Sequence, residues 1–161
     1  MLADIIEYKC SIKILVRLFM YTTPAYVGTI LKKDTQVLLV KRRNTDWAAE
    51  CWNFPGGLLE EHETLMQAAI RETQEEVGVT VDQKDFNLVH VLQVKKGGTN
   101  TKDIIGFYFI AEAWKGTAVN NELHRHSDIG WFAMDNLPQN ITTHALEALD
   151  GLRNNVRYSE N

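Results

Sequence analysis

The chain has 161 residues, 45% of them hydrophobic and 24% charged, with a formal net charge of −4. That length and balance fit one domain spanning residues 1–161 with a core of its own, and the acidic surplus argues against gripping a nucleic-acid polymer through many phosphate contacts. Cys10 and Cys51 form no C-x-x-C pair, so neither a zinc site nor a disulfide framework is indicated. The opening MLADIIEYK is acidic where a secretory signal would be basic, and no run approaches about 18 uninterrupted apolar residues. The expectation is a cytoplasmic protein with no membrane partner, monomeric or homodimeric.

In chain order, the apolar run Ile12 to Tyr21 reads as a strand or a short helix, and it offers a surface for a dimer contact. Tyr26 to Leu31 and Gln36 to Val40 are β-rich runs around Lys32-Lys33-Asp34-Thr35, which predicts a hairpin. The segment from Asn53 to Val79 contains a helix with well-marked ends. Thr64 followed by Gln67 is a capping-box pattern, and Gly78 stands where a left-handed residue closes a helix, so the helix runs from about Leu65 to Val77. Asn87 to Lys95 and Ile104 to Trp114 are two further strands flanking the polar connection KGGTNTKD, and Ile129 to Met134 is a last short strand. Ile141 to Leu152 has helical spacing, and the ending, residues 154–161, is polar enough to fray. Strands and helices alternating in one set read as α/β or α+β.

On the 65–77 helix, Met66, Ile70, Thr73 and Val77 form a core-facing stripe with one polar interruption. With a leucine expected to bury more apolar area than the hydroxyl returns, Thr73→Leu is expected to be tolerated. Ala68 and Ala69 are small enough to leave room for a ligand one turn before the glutamates. Glu72, Glu75 and Glu76 lie three and four positions apart on another face, where their charges repel one another. Hard divalent ions take oxygen ligands from a few carboxylates together with waters and substrate phosphates, so this face suits a metal-held phosphate. Arg71 can reach Glu75 one turn on, or Glu63 at the helix entrance. An acidic helix alone is usually a solvated face; the fixed spacing of its neighbours is what raises this one above that reading.

Gly57, Glu63, Arg71, Glu72, Glu75, Glu76, Gly78 and Val79 fall in the pattern G-x5-E-x7-R-E-U-x-E-E-x-G-U, with U a bulky aliphatic. The segment therefore resembles the Nudix box, departing from it at Thr73 and carrying His62 where relatives commonly have glycine. The resemblance extends from about Tyr26 to Leu152, through VLLVKRR before the box and HSDIGWFAMDNLP after it. It implies a Nudix-type α/β/α sandwich around a mixed β-sheet and hydrolysis of a nucleoside diphosphate linked to another moiety, with Mg²⁺ or Mn²⁺ as cofactor. Carried over by position, Glu72, Glu75, Glu76 and the carbonyl of Gly56 would hold metal, with Arg71 and Glu63 in support. Glu122 resembles a late glutamate that supplies a fourth carboxylate, and Glu72 is the candidate base for the attacking water.

His124 and His126 have the spacing of a metal pair on a strand, although in a polar loop solvated histidines are the commoner case. Trp47, Trp52, Phe54 and Trp131 are the aromatics that could stack a base; Phe54 and Trp131 are taken as the substrate-binding pair. The sequence lacks the marks of several branches: Val94 and Lys95 stand where ADP-ribose pyrophosphatases carry proline, and Lys96 and Gly97 where dinucleoside polyphosphate hydrolases carry tyrosine. The chain is thereby most similar to MutT-like enzymes, which cleave a nucleoside triphosphate, in some cases oxidised, to monophosphate and pyrophosphate. A nucleotide-sugar hydrolase and a non-catalytic nucleotide-sensing module are the alternatives; the intact glutamate set speaks against the module.

Overall fold

Residues 22–96 and 103–161 are described by a computed structural model of the chain. The run Ile12 to Tyr21 and most of the KGGTNTKD connection lie outside the described residues. Strand β1 (Ala25–Lys33) and β2 (Gln36–Arg42) form the expected hairpin, with Lys32 opposite Val37 and Lys33 opposite Gln36. Then follow β3 (Trp52–Asn53), β4 (Gly56–Leu58), helix α1 (Leu65–Val77), β5 (Asn87–Val94), β6 (Ile104–Ala111), β7 (His126–Ala133), helix α2 (Thr143–Asn154) and β8 (Tyr158–Glu160). The sheet runs β3-β2-β1-β6-β5-β8, with β4 also on β1 and β7 also on β2. It is mixed: β1 pairs parallel with β6 from Ala25–Ile105 to Leu31–Ala111, while β5 and β6 are antiparallel.

Alternation along β1 decides which side chain meets which helix, because successive residues of a strand point to opposite faces. Val27 and Leu31, with Leu38 and Val40 of β2, pack under α1 against Ala68, Ala69 and Val77. Ile30, with Val37 and Leu39, packs under α2 against Ala145, Ala148 and Leu149. Both faces are thus covered, giving the α/β/α sandwich. Each fully buried Leu or Ile contributes about 1.5–3 kcal/mol to holding the layers together.

Helix α1 begins and ends where its signals place it. The Thr64 hydroxyl accepts from Gln67 N–H while the Gln67 side chain accepts from Thr64 N–H, and Gly78 closes the helix at φ 70°. Two details of its faces differ from the expectation. Ala68 and Ala69 are fully buried in the core, so their small size lets α1 approach the sheet closely and leaves no room for a ligand. Thr73 is also fully buried, and its hydroxyl oxygen lies 2.6 Å from the Ala69 carbonyl and 3.0 Å from the Thr29 hydroxyl. A leucine there would strip Thr29 of its partner inside the core, so Thr73→Leu is not a harmless exchange.

The ending is ordered too. Tyr158, Ser159 and Glu160 pair parallel with Val91, Leu92 and Gln93 of β5. Buried His90 ties the two strands, its Nδ1 2.9 Å from the Val156 carbonyl and its Nε2 2.9 Å from the Ser159 hydroxyl. Backbone pairing outweighs polar composition here, since the exposed donors and acceptors of β5 give even a polar strand a partner.

Candidate active site

Strand β4 lies against α1. A Cβ on Gly57 would stand 2.2 Å from Glu72 Oε1, and one on Gly56 would stand 2.1 Å from the Val27 carbonyl oxygen. Glycine at 57 lets Glu72 close onto the strand, and glycine at 56 lets the strand close onto β1. Gly56 N–H donates to Glu76 Oε2 at 2.8 Å, which fixes one carboxylate oxygen and leaves Oε1 to face elsewhere. The loop before α1 turns through His62 at φ 71°, a conformation that favours glycine.

Arg71 organises the entrance of the site. Its Nε and Nη2 donate to the two oxygens of Glu63 at 3.1 and 2.7 Å, while Nη1 donates to Glu72 at 2.6 Å and to Glu75 at 3.1 Å. Nη2 also donates to the Leu58 carbonyl at 3.2 Å, tying the helix to the end of β4. Both pairings considered for Arg71 are therefore made at once, and a bidentate guanidinium holds Glu63 as a planar fork does best. The hydrogen bond from Arg71 holds the Glu63 carboxyl below its ordinary range. Burial pushes Glu72 upward, with Arg71 pulling the other way. Glu75 is half exposed, at 51%, and points along the outer side of α1.

The segment after β6 is pinned to the end of α1, whose last carbonyls lack partners within the helix. Val119 N–H donates to the Val77 carbonyl, Asn121 N–H to that of Glu76, and the Asn121 side chain to that of Glu75. Glu122 opens a tight turn closed by His126 N–H on the Glu122 carbonyl at 2.9 Å, and this turn brings both side chains back towards Glu76. Ligand atoms of Glu76, Glu122 and His126 lie within 4.8 Å of one another. His126 is 2% exposed and Glu76 5%, with His126 Nε2 standing 3.5 Å from Glu76 Oε1. Burial raises Glu76 to about 8 and lowers His126 to about 4, each shift disfavouring the charged form of its group. Of the two loop histidines, His124 is exposed as a solvated residue would be, and His126 is not.

Glu72 and Glu76 line one wall of a cleft of about 530 Å³. Trp47 and His144 line the same cleft, stacked with ring centroids 4.9 Å apart and planes 19° apart, and the Arg42 guanidinium sits 5.1 Å from the centre of the Trp47 ring. Arg125 also borders the cleft, and Tyr26 and Tyr108 form part of its floor. Asn53 is held there by the Thr142 hydroxyl on its Oδ1 at 2.8 Å and by its own Nδ2 on the Tyr26 hydroxyl at 3.3 Å.

The two aromatics taken from the sequence as the substrate-binding pair lie elsewhere. Phe54 is 1% exposed and packs edge-on against Tyr108, so it supports the floor from behind. Trp131 stacks on Trp114 over the cluster beneath α1, on the other face of the sheet. Strand alternation decides Trp131 and the short connection between β3 and β4 decides Phe54, and no residue pattern around either one distinguishes a core aromatic from a cleft one. Arg42, His144 and Arg125 carry no local signal at all.

The model of the NUDIX domain matches residues 22–152. The chain belongs to this family. An 8-oxo-dGTP diphosphatase of Buchnera aphidicola is 29% identical over 115 residues, 71% of this chain and 80% of that protein. An ADP-ribose pyrophosphatase of Methanocaldococcus jannaschii is 40% identical over 63 residues, which are 39% of this Nudix chain and only 36% of the relative. The crystal structure of a MutT NUDIX hydrolase from Burkholderia pseudomallei superposes with a TM-score of 0.75 at 30% identity, covering 82% of this chain and 99% of that one. Fold and family together make the chain a Nudix pyrophosphohydrolase.

Proposed function

We propose that this Nudix hydrolase cleaves a nucleoside triphosphate to the monophosphate and pyrophosphate with the help of a divalent cation, Mg²⁺ or Mn²⁺. The observation that carries the reading is one cleft lined both by the carboxylates of Glu72 and buried Glu76 and by a stacked indole and imidazole. Relatives named 8-oxo-dGTP diphosphatase and CTP pyrophosphohydrolase support the triphosphate branch.

The residues fit a cation. Buried Glu76 has one oxygen on a backbone N–H and the other facing a neutral imidazole, with Glu122 close by. Glu72, Glu76 and Glu122 would hold it, with the Gly56 carbonyl and Glu75 as the further family positions. When bound, such an ion neutralises charge developing on the phosphoryl oxygens and makes the attacking water more acidic. Arg71 and Glu63 keep Glu72 at a fixed angle beside β4, where Glu72 can accept the proton of that water. Arg42 and Arg125 bring positive charge to the cleft rim, where the outer phosphates of a triphosphate would lie. Trp47 offers its ring to the base, with Asn53 held ready on the floor.

Incubation with nucleoside triphosphates, ADP-ribose and nucleotide sugars, with the products identified, tests the reading. Monophosphate and pyrophosphate from triphosphates are expected; orthophosphate alone, or a preference of orders of magnitude for ADP-ribose or a sugar nucleotide, would move the protein to another branch. Trp47→Ala is expected to raise KM by roughly tenfold while changing kcat little, as loss of a binding contact does; an unchanged KM would remove Trp47 from the base site.

A further inference from the structure

The Nudix box places carboxylates at the site, but it contains no nitrogen ligand. His126 lies outside the box, at the first residue of β7, and is delivered to Glu76 by the turn that Glu122 opens. Its ring is 2% exposed and its Nδ1 is buried without a hydrogen-bond partner among the described residues. Its Nε2 and Glu76 Oε1 are 3.5 Å apart. Two ligand atoms roughly 2.1 Å from one ion and about 90–110° apart stand about 3.0–3.5 Å from each other, so the pair already has the separation of neighbouring ligands. Glu122 brings a third ligand atom, and its half-buried side chain has freedom to adjust.

We propose that His126 is a direct nitrogen ligand in a mixed seat with Glu76 and Glu122, so that the cation preferred by this chain is of the Mn²⁺, Co²⁺ or Zn²⁺ type rather than Mg²⁺. The inference rests on the reading that the carboxylates hold a cation, and adds to it a donor that the box does not supply. Imidazole suits borderline ions, whereas Mg²⁺ keeps to oxygen and water in a strict octahedron.

The test uses the whole protein and Mn²⁺ alone, without nucleotide. Free Mn²⁺ is counted by electron paramagnetic resonance during titration, and nitrogen bonded to the ion is detected by electron spin-echo modulation in unlabelled protein and in protein carrying ¹⁵N-histidine. The expected result is a nitrogen coupling that changes from the ¹⁴N to the ¹⁵N pattern on labelling. His126→Leu should abolish it and weaken Mn²⁺ binding by about tenfold or more, with Mg²⁺ affinity, read by competition, falling much less. His124→Leu should keep the coupling. Since the labelled parent protein reports on the ligand directly, a variant that fails to fold does not decide the outcome. Mn²⁺ bound without a histidine coupling overturns this inference and leaves the carboxylate reading standing. No bound Mn²⁺ overturns both.

Discussion

Two groups of charged side chains adjoin one another on the same helix, and they are built on opposite principles. Around Arg71, the carboxylates of Glu63, Glu72 and Glu75 meet a guanidinium whose donors reach all three. Around Glu76 there is no guanidinium in contact: the carboxylate has a backbone N–H, and its neighbours are an uncharged imidazole and another acid. The first group is complete as it stands and fixes geometry. The second has no cation in contact, and burial disfavours the charged form of both Glu76 and His126. Glu72 belongs to the first group and lines the cleft beside Glu76, so the fixed network holds one side of the site and the unpaired carboxyl stands at the other.

The largest effect should come from breaking the second group. Glu76→Gln keeps shape and the bond from Gly56, and is expected to lower kcat/KM by at least about a hundredfold, a loss of roughly 3 kcal/mol or more of transition-state stabilisation. Its melting temperature should not fall. Near-parental hydrolysis by this variant would mean that the carboxylate is not part of the chemistry.

Breaking the first group should act on stability. Arg71→Ala leaves three carboxylates facing one another and is expected to cost roughly 2 kcal/mol, read as a lower denaturant midpoint at unchanged slope. An unchanged midpoint would show that the network only orients Glu72. Thr73→Leu, inside the core between these groups, should cost about 1–3 kcal/mol, because Thr29 loses its partner and a larger side chain must be accommodated. Equal or raised stability would show that the Thr29 hydroxyl finds another acceptor.

The mildest effect is a pH dependence. Glu76 has its carboxyl raised from an ordinary 4.5 to about 8, so between these values the folded chain holds a proton that the unfolded chain has released, and stability falls as pH rises. His126, lowered from 6.5 to about 4, works in the opposite direction between those two values. Their opposition ends near pH 6.5, leaving a net decline from about 6.5 to 8 in protein freed of metal by chelator. A divalent ion favours the ionised carboxylate and should abolish the decline. A flat melting temperature across that window in metal-free protein would mean that Glu76 is already ionised at neutral pH.

What could be read from the sequence was what is settled locally. Helix α1 begins and ends as written in Thr64, Gln67 and Gly78, because caps act within a turn of the residues they satisfy. The hairpin of β1 and β2 and both pairings of Arg71 were legible for the same reason. The positions of Phe54, Trp131, Ala68 and Ala69 were not, since they depend on which face of a strand or helix meets another layer. His126 shows the limit most clearly. Its neighbours in sequence are polar, yet the Glu122 turn and the ties from Asn121 to α1 carry it into the interior. No spacing rule within the loop contains that information.

The pairing of residues 158–160 with β5 also bears on how copies of this protein treat one another. In the order of the sheet, β8 lies at one edge against β5, covering Val91, Leu92 and Gln93. Without β8, the run NLVHVLQV of β5 would offer an eight-residue apolar border with open donors and acceptors, the kind of template that recruits a strand from another molecule. A short strand ending in Glu160, with Arg157 bonded to the Leu88 carbonyl at its start, closes that border with charge at both ends. The polar ending thus works as a selvedge: its removal would be felt first as loss of solubility, at protein concentrations where the active site itself still had all its parts.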